Sequence, residues 1–383
     1  MVPGKNSTKE TFVVKRGFTV ALFPWIVVLA VAEIASAGPE MDWQKVLAAA
    51  KKEGKVVVSI PSSAELRKRM GKAFGRRFAG VELEVVPGRG SRNVRRIVDE
   101  FKAGVRYFDV HVGGSQSMLT GLVLVKGQIL DPVESYMILP EVKDPANWWG
   151  GHIYADKAKK FAYSFQAYVS KNMWYNSDLV SPDEIRSHAD FLNSKWKGKI
   201  AFHDPRTPGA GNSTWAYMWQ VEGEEYLKKL VRQELFVSRN SRQIAESLAK
   251  GKIAISIGVT YNSFLPFIKA GLPVRPLPDL KEGTYASSGH GNLAILRNPP
   301  HSNAAKVFVN WFLGKEGQDV FGKAMGQPTR RFDVDTRWIH EFGYKPAKDF
   351  LTVEEYYRFE NQSEEKIKKV RIPAKMFARK ILK

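Results

Sequence analysis

The strongest constraint on the fold is a repeated order along the chain: a short apolar run, a break of small residues, then an amphipathic helix. Lys55-Val56-Val57-Val58-Ser59-Ile60 suits a buried parallel strand, and Pro61-Ser62-Ser63 breaks it. Leu66, Met70, Phe74 and Phe78 follow at four-residue spacing and predict a helix. Val81 to Val86 predicts a second strand, ended by Pro87-Gly88-Arg89-Gly90-Ser91, and Val94, Ile97, Val98 and Phe101 mark the next helix. Phe108 to Val112 predicts a third strand, ended by Gly113-Gly114-Ser115. This β-α-β-α-β order implies a parallel sheet with right-handed crossovers, and hence an α/β fold. Ahead of it, Asp42 to Glu53 reads as a helix with Asp42 as N-cap and Gly54 just past its end.

A second unit of the same type follows. Lys199 to His203 reads as a strand, succeeded by the loop Asp204-Pro205-Arg206-Thr207-Pro208-Gly209-Ala210-Gly211, with Asn212 capping an aromatic-rich helix. Ile253 to Val259 and Gly291 to Leu296 predict further strands, and Ser302 caps a helix carrying Ala305, Val309, Phe312 and Leu313. A length of 383 residues favours two domains, each with its own core. The last residues, Lys366 to Lys383, alternate basic side chains with Ile367, Val370, Ile372, Met376, Phe377, Ile381 and Leu382, and predict a terminal helix docked on a lobe with a solvated basic face.

The amino terminus reads as a cleaved export signal. Lys5, Lys9, Lys15 and Arg16 precede an apolar run from Phe18 to Ala32, and Ala35-Ser36-Ala37 gives the small-x-small cleavage pattern. The run falls short of the ~20 residues of a spanning helix. The formal charge is +20, and removing residues 1–37 leaves +18. Such an excess raises the local concentration of anions, and an anionic ligand fits an exported chain better than nucleic acid does. The absence of cysteine excludes disulfides, thiolate metal sites and cysteine nucleophiles. The histidines show no zinc spacing, and no G-x-S-x-G, H-E-x-x-H or Walker A pattern is present. No catalytic residues, cofactor or metal are expected, and the chain is not expected to be an enzyme.

In open α/β sheets, ligands sit beyond the carboxyl ends of the strands. Ser62-Ser63, Gly90-Ser91 and Gly114-Ser115 begin helices there, and Gly211-Asn212-Ser213 offers the same device in the second unit. Unpaired N–H groups at such helix starts favour anions. The candidate ligand residues are therefore Ser62, Ser63, Ser115, Arg206, Thr207, Asn212, Ser213 and Tyr261. A guanidinium at Arg206 can grip a carboxylate or phosphonate with paired hydrogen bonds. Tyr261 can stack, donate a hydrogen bond or ligate a metal. A serine or asparagine cap is equally a structural device, so the convergence of several on one cleft is what matters.

These residues resemble the ferric-type branch of the family 1 extracellular solute-binding proteins, which are type II periplasmic binding proteins. The likeness runs from about Asp42 to Gln327. It is carried by Trp174-Tyr175-Asn176-Ser177-Asp178-Leu179-Val180, Trp196-Lys197-Gly198-Lys199-Ile200, Asp204-Pro205-Arg206, Ala304-Ala305-Lys306 with Phe308, and Lys315-Glu316-Gly317-Gln318. The resemblance implies two α/β lobes, each a mixed, mainly parallel sheet flanked by helices, with a hinge between them. It implies that residues 38–160 plus 284–314 form lobe 1, and 161–283 plus 315–383 form lobe 2 with a C-terminal helical extension. It also implies a monomeric periplasmic receptor that delivers a small ligand or ion to an ABC permease with an ATPase subunit. Ferric relatives use an adjacent tyrosine pair, whereas Val259-Thr260-Tyr261-Asn262 holds one tyrosine at that place. Tyr261 would be the ligand if iron is bound. A phosphonate, sugar phosphate or organic acid is the expected ligand, with ferric iron or an iron chelate as the alternative and an exported enzyme on the same fold as the reading of another class.

Overall fold

The computed structural model describes residues 39–125, 128–169 and 171–382. The expected export signal, residues 1–37, lies outside them. The chain enters through the helix Pro39–Glu53 and builds β1 (Lys55–Pro61), β2 (Glu82–Gly88), β3 (Val110–Gly113), β4 (Leu130–Asp131) and β5 (Tyr163–Ser164). It crosses through β6 (Tyr168–Val169) and builds β7 (Met173–Asn176), β8 (Ile200–His203), β9 (Phe236–Ser238), β10 (Ile255–Ile257) and β11 (Val274–Pro276). It returns through β12 (Ala286–Ser287) to β13 (Asn292–Leu296), and later adds β14 (Lys345–Pro346).

The first sheet runs β2-β1-β3-β13-β4, with β5 also on β13; the second runs β11-β7-β10-β8-β9. In the first, β1 pairs parallel with β2 and β3, while β13 runs antiparallel to its neighbours. In the second, β8 pairs parallel with β9 and β10, and β7 is antiparallel to β10 and β11. Both sheets are thus mixed and serve as the centres of two lobes. The crossing strands β12, β6 and β14 form a small antiparallel sheet where the chain passes between them.

Alternation along the strands explains the layering. In β1, Val56, Val58 and Ile60 face one core and Val57 the other. In β8, Ile200 and Phe202 face one core of the second lobe and Ala201 the other. Each sheet is therefore covered on both faces, as its continuous apolar strands require. Leu66, Met70, Phe74 and Phe78 all enter the first core from the helix Ala64–Arg77.

Several boundaries differ from the sequence reading. The helix Lys315–Met325, assigned to the second lobe, packs Phe321, Ala324 and Met325 into the first core, and Tyr163 pairs with Leu293 of β13. The hydrophobic pattern could not tell which of two cores each segment enters. The first helix starts at Pro39, so Asp42 lies within it. Ser302 does not cap its helix; Glu53 reaches across to accept from the backbone N–H groups of Asn303 (3.1 Å) and Ala304 (2.7 Å). A carboxylate there meets the positive end of the helix.

Candidate functional site

The loop after β3 meets the loop after β8 through Arg371, which donates to both Gln116 and Gly209, and Arg89 of the loop after β2 lies near His203 at the end of β8. On the second lobe the helix Ala210–Val231 begins hard against β8. A Cβ on Gly211 would lie 2.0 Å from the His203 carbonyl oxygen, and one on Gly258, at φ +82°, 2.6 Å from the Gly211 Cα. Only glycine permits this approach, which sets the helix start, with Asn212 and Ser213, at the strand ends. Asn212 was expected to cap this helix; Gly209 takes that place, and Asn212 lies inside the first turn.

Ser115, Asn212 and Ser213 are linked through a third partner. The segment Glu360–Arg371 passes between the lobes. Ser115 Oγ donates to Gln362 Oε1 at 2.6 Å, and Asn361 Nδ2 donates to the Ser213 carbonyl at 3.2 Å. Glu364 ties the segment to the first lobe: its backbone N–H donates to Ala155 O (2.8 Å), and its carboxylate accepts from Lys157 N (2.9 Å). Ile367 packs in a first-lobe core, while Ala374, Phe377, Ala378 and Leu382 of the following helix, Ile372–Ile381, pack in a second-lobe core. Trp215 Nε1 donates to Ala374 O at 3.0 Å.

Arg371 is the chemical centre of this arrangement. It is 2% exposed. Its Nε donates to Asn212 Oδ1 (3.1 Å), Nη1 to Gln362 Oε1 (3.1 Å), and Nη2 to Gln116 Oε1 (2.9 Å) and Gly209 O (3.3 Å). Every one of these acceptors is a neutral amide. Glu360 does not pair with it, because the Glu360 carboxylate accepts from the backbone N–H groups of Gln362 and Ser363. Burial lowers the Arg371 pKa to about 10, so it remains a cation at neutral pH. Glu360 lies near enough to favour the charged form but is not hydrogen-bonded to it, and a buried charge without a bonded counter-ion is unfavourable. Arg371 contrasts with Arg331, equally buried but paired with Asp333 at 2.8 and 2.9 Å.

The other candidates separate from this group. Ser63 caps the helix Ala64–Arg77 by accepting from Leu66 N at 3.1 Å. With Ser62 it lines an open cavity of about 550 Å³ that also carries Arg67, Lys68, Gly71 and Pro87. Arg206 was expected to grip a ligand; instead Asp204 holds its guanidinium at 2.8 and 3.2 Å, and its Nη1 donates to Leu382 O. Thr207 Oγ1 donates to Asp204 O and closes the turn. Tyr261 is buried against Trp174 and Tyr344, and burial pushes its hydroxyl up to about 12. The exposed Arg89 lies near enough to His203 to oppose its protonation, adding to the larger effect of burial.

Among the described residues one group of metal-type ligands converges, His188, Glu222 and Glu282, within 4.8 Å. Its bonds are structural: His188 Nδ1 meets Glu222 at 3.0 Å, while Glu282 accepts from Ser187 Oγ and the His188 N–H.

Residues 55–324 match the family model described as bacterial extracellular solute-binding protein. The chain belongs to that family. This solute-binding protein is also similar to solved structures. AfuA from Actinobacillus pleuropneumoniae, solved with fructose 6-phosphate, is 20% identical with a TM-score of 0.60, covering 84% of this chain and 97% of AfuA. Iron-bound HitA from Pseudomonas aeruginosa is 17% identical with a TM-score of 0.63, covering 86% and 99%. The ferric binding protein from Campylobacter jejuni is 15% identical with a TM-score of 0.64, covering 85% and 99%. At these identities the likeness establishes the two-lobed fold. An uncharacterised protein of Haemophilus influenzae is 25% identical over 138 residues, covering 35% of this chain and 39% of that protein. In this solute-binding protein the groups that meet between the lobes are the Ser115 hydroxyl, the amides of Gln116, Asn212, Asn361 and Gln362, the Arg371 guanidinium, and the engaged carboxylates of Glu360 and Glu364. Asp204, the carboxylate on the β8 loop, is engaged by both Arg206 and Arg239 (2.9 Å). Burial opposes ionisation of Asp204, but these bonds outweigh it and leave the carboxyl below its usual range.

Proposed function

We propose that this protein is a periplasmic receptor that captures a small oxyanion between its lobes, a phosphonate, sugar phosphate or organic acid. It hands that ligand to an ABC permease with an ATPase subunit. It acts as a monomer and performs no chemistry on the ligand. The observation that carries the ligand class is the balance of groups where the lobes meet: Arg371 and the Gln116 amide donor, while the carboxylates there are already engaged, Asp204 by two arginines, Glu360 by backbone N–H groups, and Glu364 by the Lys157 N–H and Lys368. The +18 charge left after removal of residues 1–37 supports the same reading. No described helix is long and apolar enough to cross a membrane.

The second reading, ferric iron or an iron chelate, is favoured by the likeness to HitA and the Campylobacter protein. Ferric iron prefers several anionic oxygens. Tyr261 holds its proton up to about 12 within an aromatic cluster, which weighs against a phenolate there.

Thermal melts with fructose 6-phosphate, inorganic phosphate, citrate, fructose and ferric iron test the choice. A ligand that binds only the folded state raises the melting temperature by mass action. Stabilisation by the phosphorylated sugar and not by fructose is expected. Equal stabilisation by fructose ends the anion reading. Stabilisation by iron alone, with visible tyrosinate absorption, would install the second.

A further inference from the structure

We infer that the C-terminal segment supplies the ligand-recognising cation of the cleft: Arg371, with Gln116 beside it, binds the oxyanion group of the ligand. The inference rests on the anion reading above and goes further, since it places recognition on a segment beyond the matched residues 55–324.

Three observations converge. The first is the guanidinium, buried between the lobes with only neutral acceptors. The second is its position. Arg371 Nη2 lies 3.3 Å from the carbonyl of Gly209, the N-cap of the helix Ala210–Val231. A helix start carries partial positive charge. Cation and dipole therefore present the same sign to the same place, and an anion relieves both. The third is Gln116. Its side chain is buried and its Oε1 is fixed by Arg371, which leaves Nε2 as a donor with no partner. A buried amide donor without an acceptor is unfavourable.

Four of the five guanidinium N–H groups are engaged; the remaining Nη1 N–H and the Gln116 Nε2 donor together can meet two oxygens of a phosphate, phosphonate or carboxylate. Recognition joins both lobes, because Gln116 belongs to the first and Gly209 and Asn212 to the second. An oxyanion held here would join residues of both lobes and give Arg371 the hydrogen-bonded counter-charge that Glu360, held by the backbone N–H groups of Gln362 and Ser363, does not supply.

Isothermal titration of the full chain with inorganic phosphate and fructose 6-phosphate, alongside Arg371→Gln and Gln116→Glu, tests this. Arg371→Gln is expected to lose tenfold or more in affinity for both probes. Gln116→Glu installs a carboxylate against Arg371, and is expected to raise the melting temperature and abolish phosphate binding. Should Arg371→Gln fail to fold, Gln116→Glu decides, and unchanged phosphate affinity in it overturns the inference. Unchanged or tighter binding by folded Arg371→Gln also overturns it, leaving the anion reading intact and making the segment a plug. Failure of the unaltered protein to bind either probe removes both.

Discussion

Two similar strand-end loops, the one after β1 in the first lobe and the one after β8 in the second, stand in opposite states. On the first lobe, Ser62 and Ser63 open onto a cavity beside Arg67 and Lys68, and Ser63 is engaged locally, its hydroxyl by Leu66 N and its carbonyl by Arg67 N. On the second, Asn212 and Ser213 are buried and bonded to the C-terminal segment, and Arg206 is held by Asp204 and Leu382 O. The same secondary-structure device thus gives an available helix start after β1 and occupied ones after β3 and β8. Local sequence sets the device; long-range packing decides its availability.

The comparison breaks most sharply at Trp215. Its ring fills the second-lobe core against Phe202, and its Nε1 holds the C-terminal helix. Trp215→Ala should cost about 3–5 kcal/mol and release the helix Ile372–Ile381 to proteolysis. A denaturant midpoint and a digestion time course check both, and a protected C-terminus in the variant would show that the second-lobe loop is not held in this way.

The first lobe carries its own pH dependence. His111 on β3 is fully buried, bonded to Ser59 Oγ at 3.0 Å, and burial lowers its pKa from 6.5 to about 4. Between those values the unfolded chain binds a proton that the folded protein refuses. Stability should therefore fall as pH drops across that window, by about 3 kcal/mol in all. His111→Gln should flatten the profile from pH 6.5 to about 4. An unchanged slope would place the acid sensitivity elsewhere.

Much of this architecture is legible in the sequence because β1, β3, β8 and β13 are covered on both faces and therefore read as apolar runs. The small polar residues ending them mark the strand ends, so the placing of Ser115, Asn212 and Ser213 at strand ends follows from topology, while their link through Gln362 and Arg371 does not. Arg371 is another matter. Its partners Asn212 and Gln116 lie 159 and 255 residues away, and no local pattern encodes those distances. Its basic neighbours give the stretch the appearance of a solvated face. One signal was present: Arg371 stands between Val370 and Ile372, with Ile367 one turn earlier, on the apolar side of the helix. Tyr261 misleads for the converse reason. It follows a strand end as a ligand residue would, yet its ring belongs to the core with Trp174 and Phe264.

Removing the Asn212 amide sharpens the contrast on a smaller scale. Asn212 accepts from Arg371 Nε and donates to Pro205 O at 3.1 Å. Asn212→Ala should cost about 2 kcal/mol, because a buried charged donor and a carbonyl lose their partner together. Urea unfolding measures it, and a cost near zero would mean that water replaces the amide and the second-lobe loop is as open as the first.

The smallest effect belongs to Ser63. Its hydroxyl satisfies the Leu66 N–H, so Ser63→Ala should cost about 1 kcal/mol, the usual loss for an N-cap. Since Ser63 makes no contact with the C-terminal segment, the same change should leave that segment's protease resistance untouched. Combined with Asn212→Ala, the two costs should add, as independent sites do. A coupling of more than about 0.5 kcal/mol between them would show that the open loop and the occupied loop respond as one element, and that the division between the lobes is weaker than their hydrogen bonds suggest.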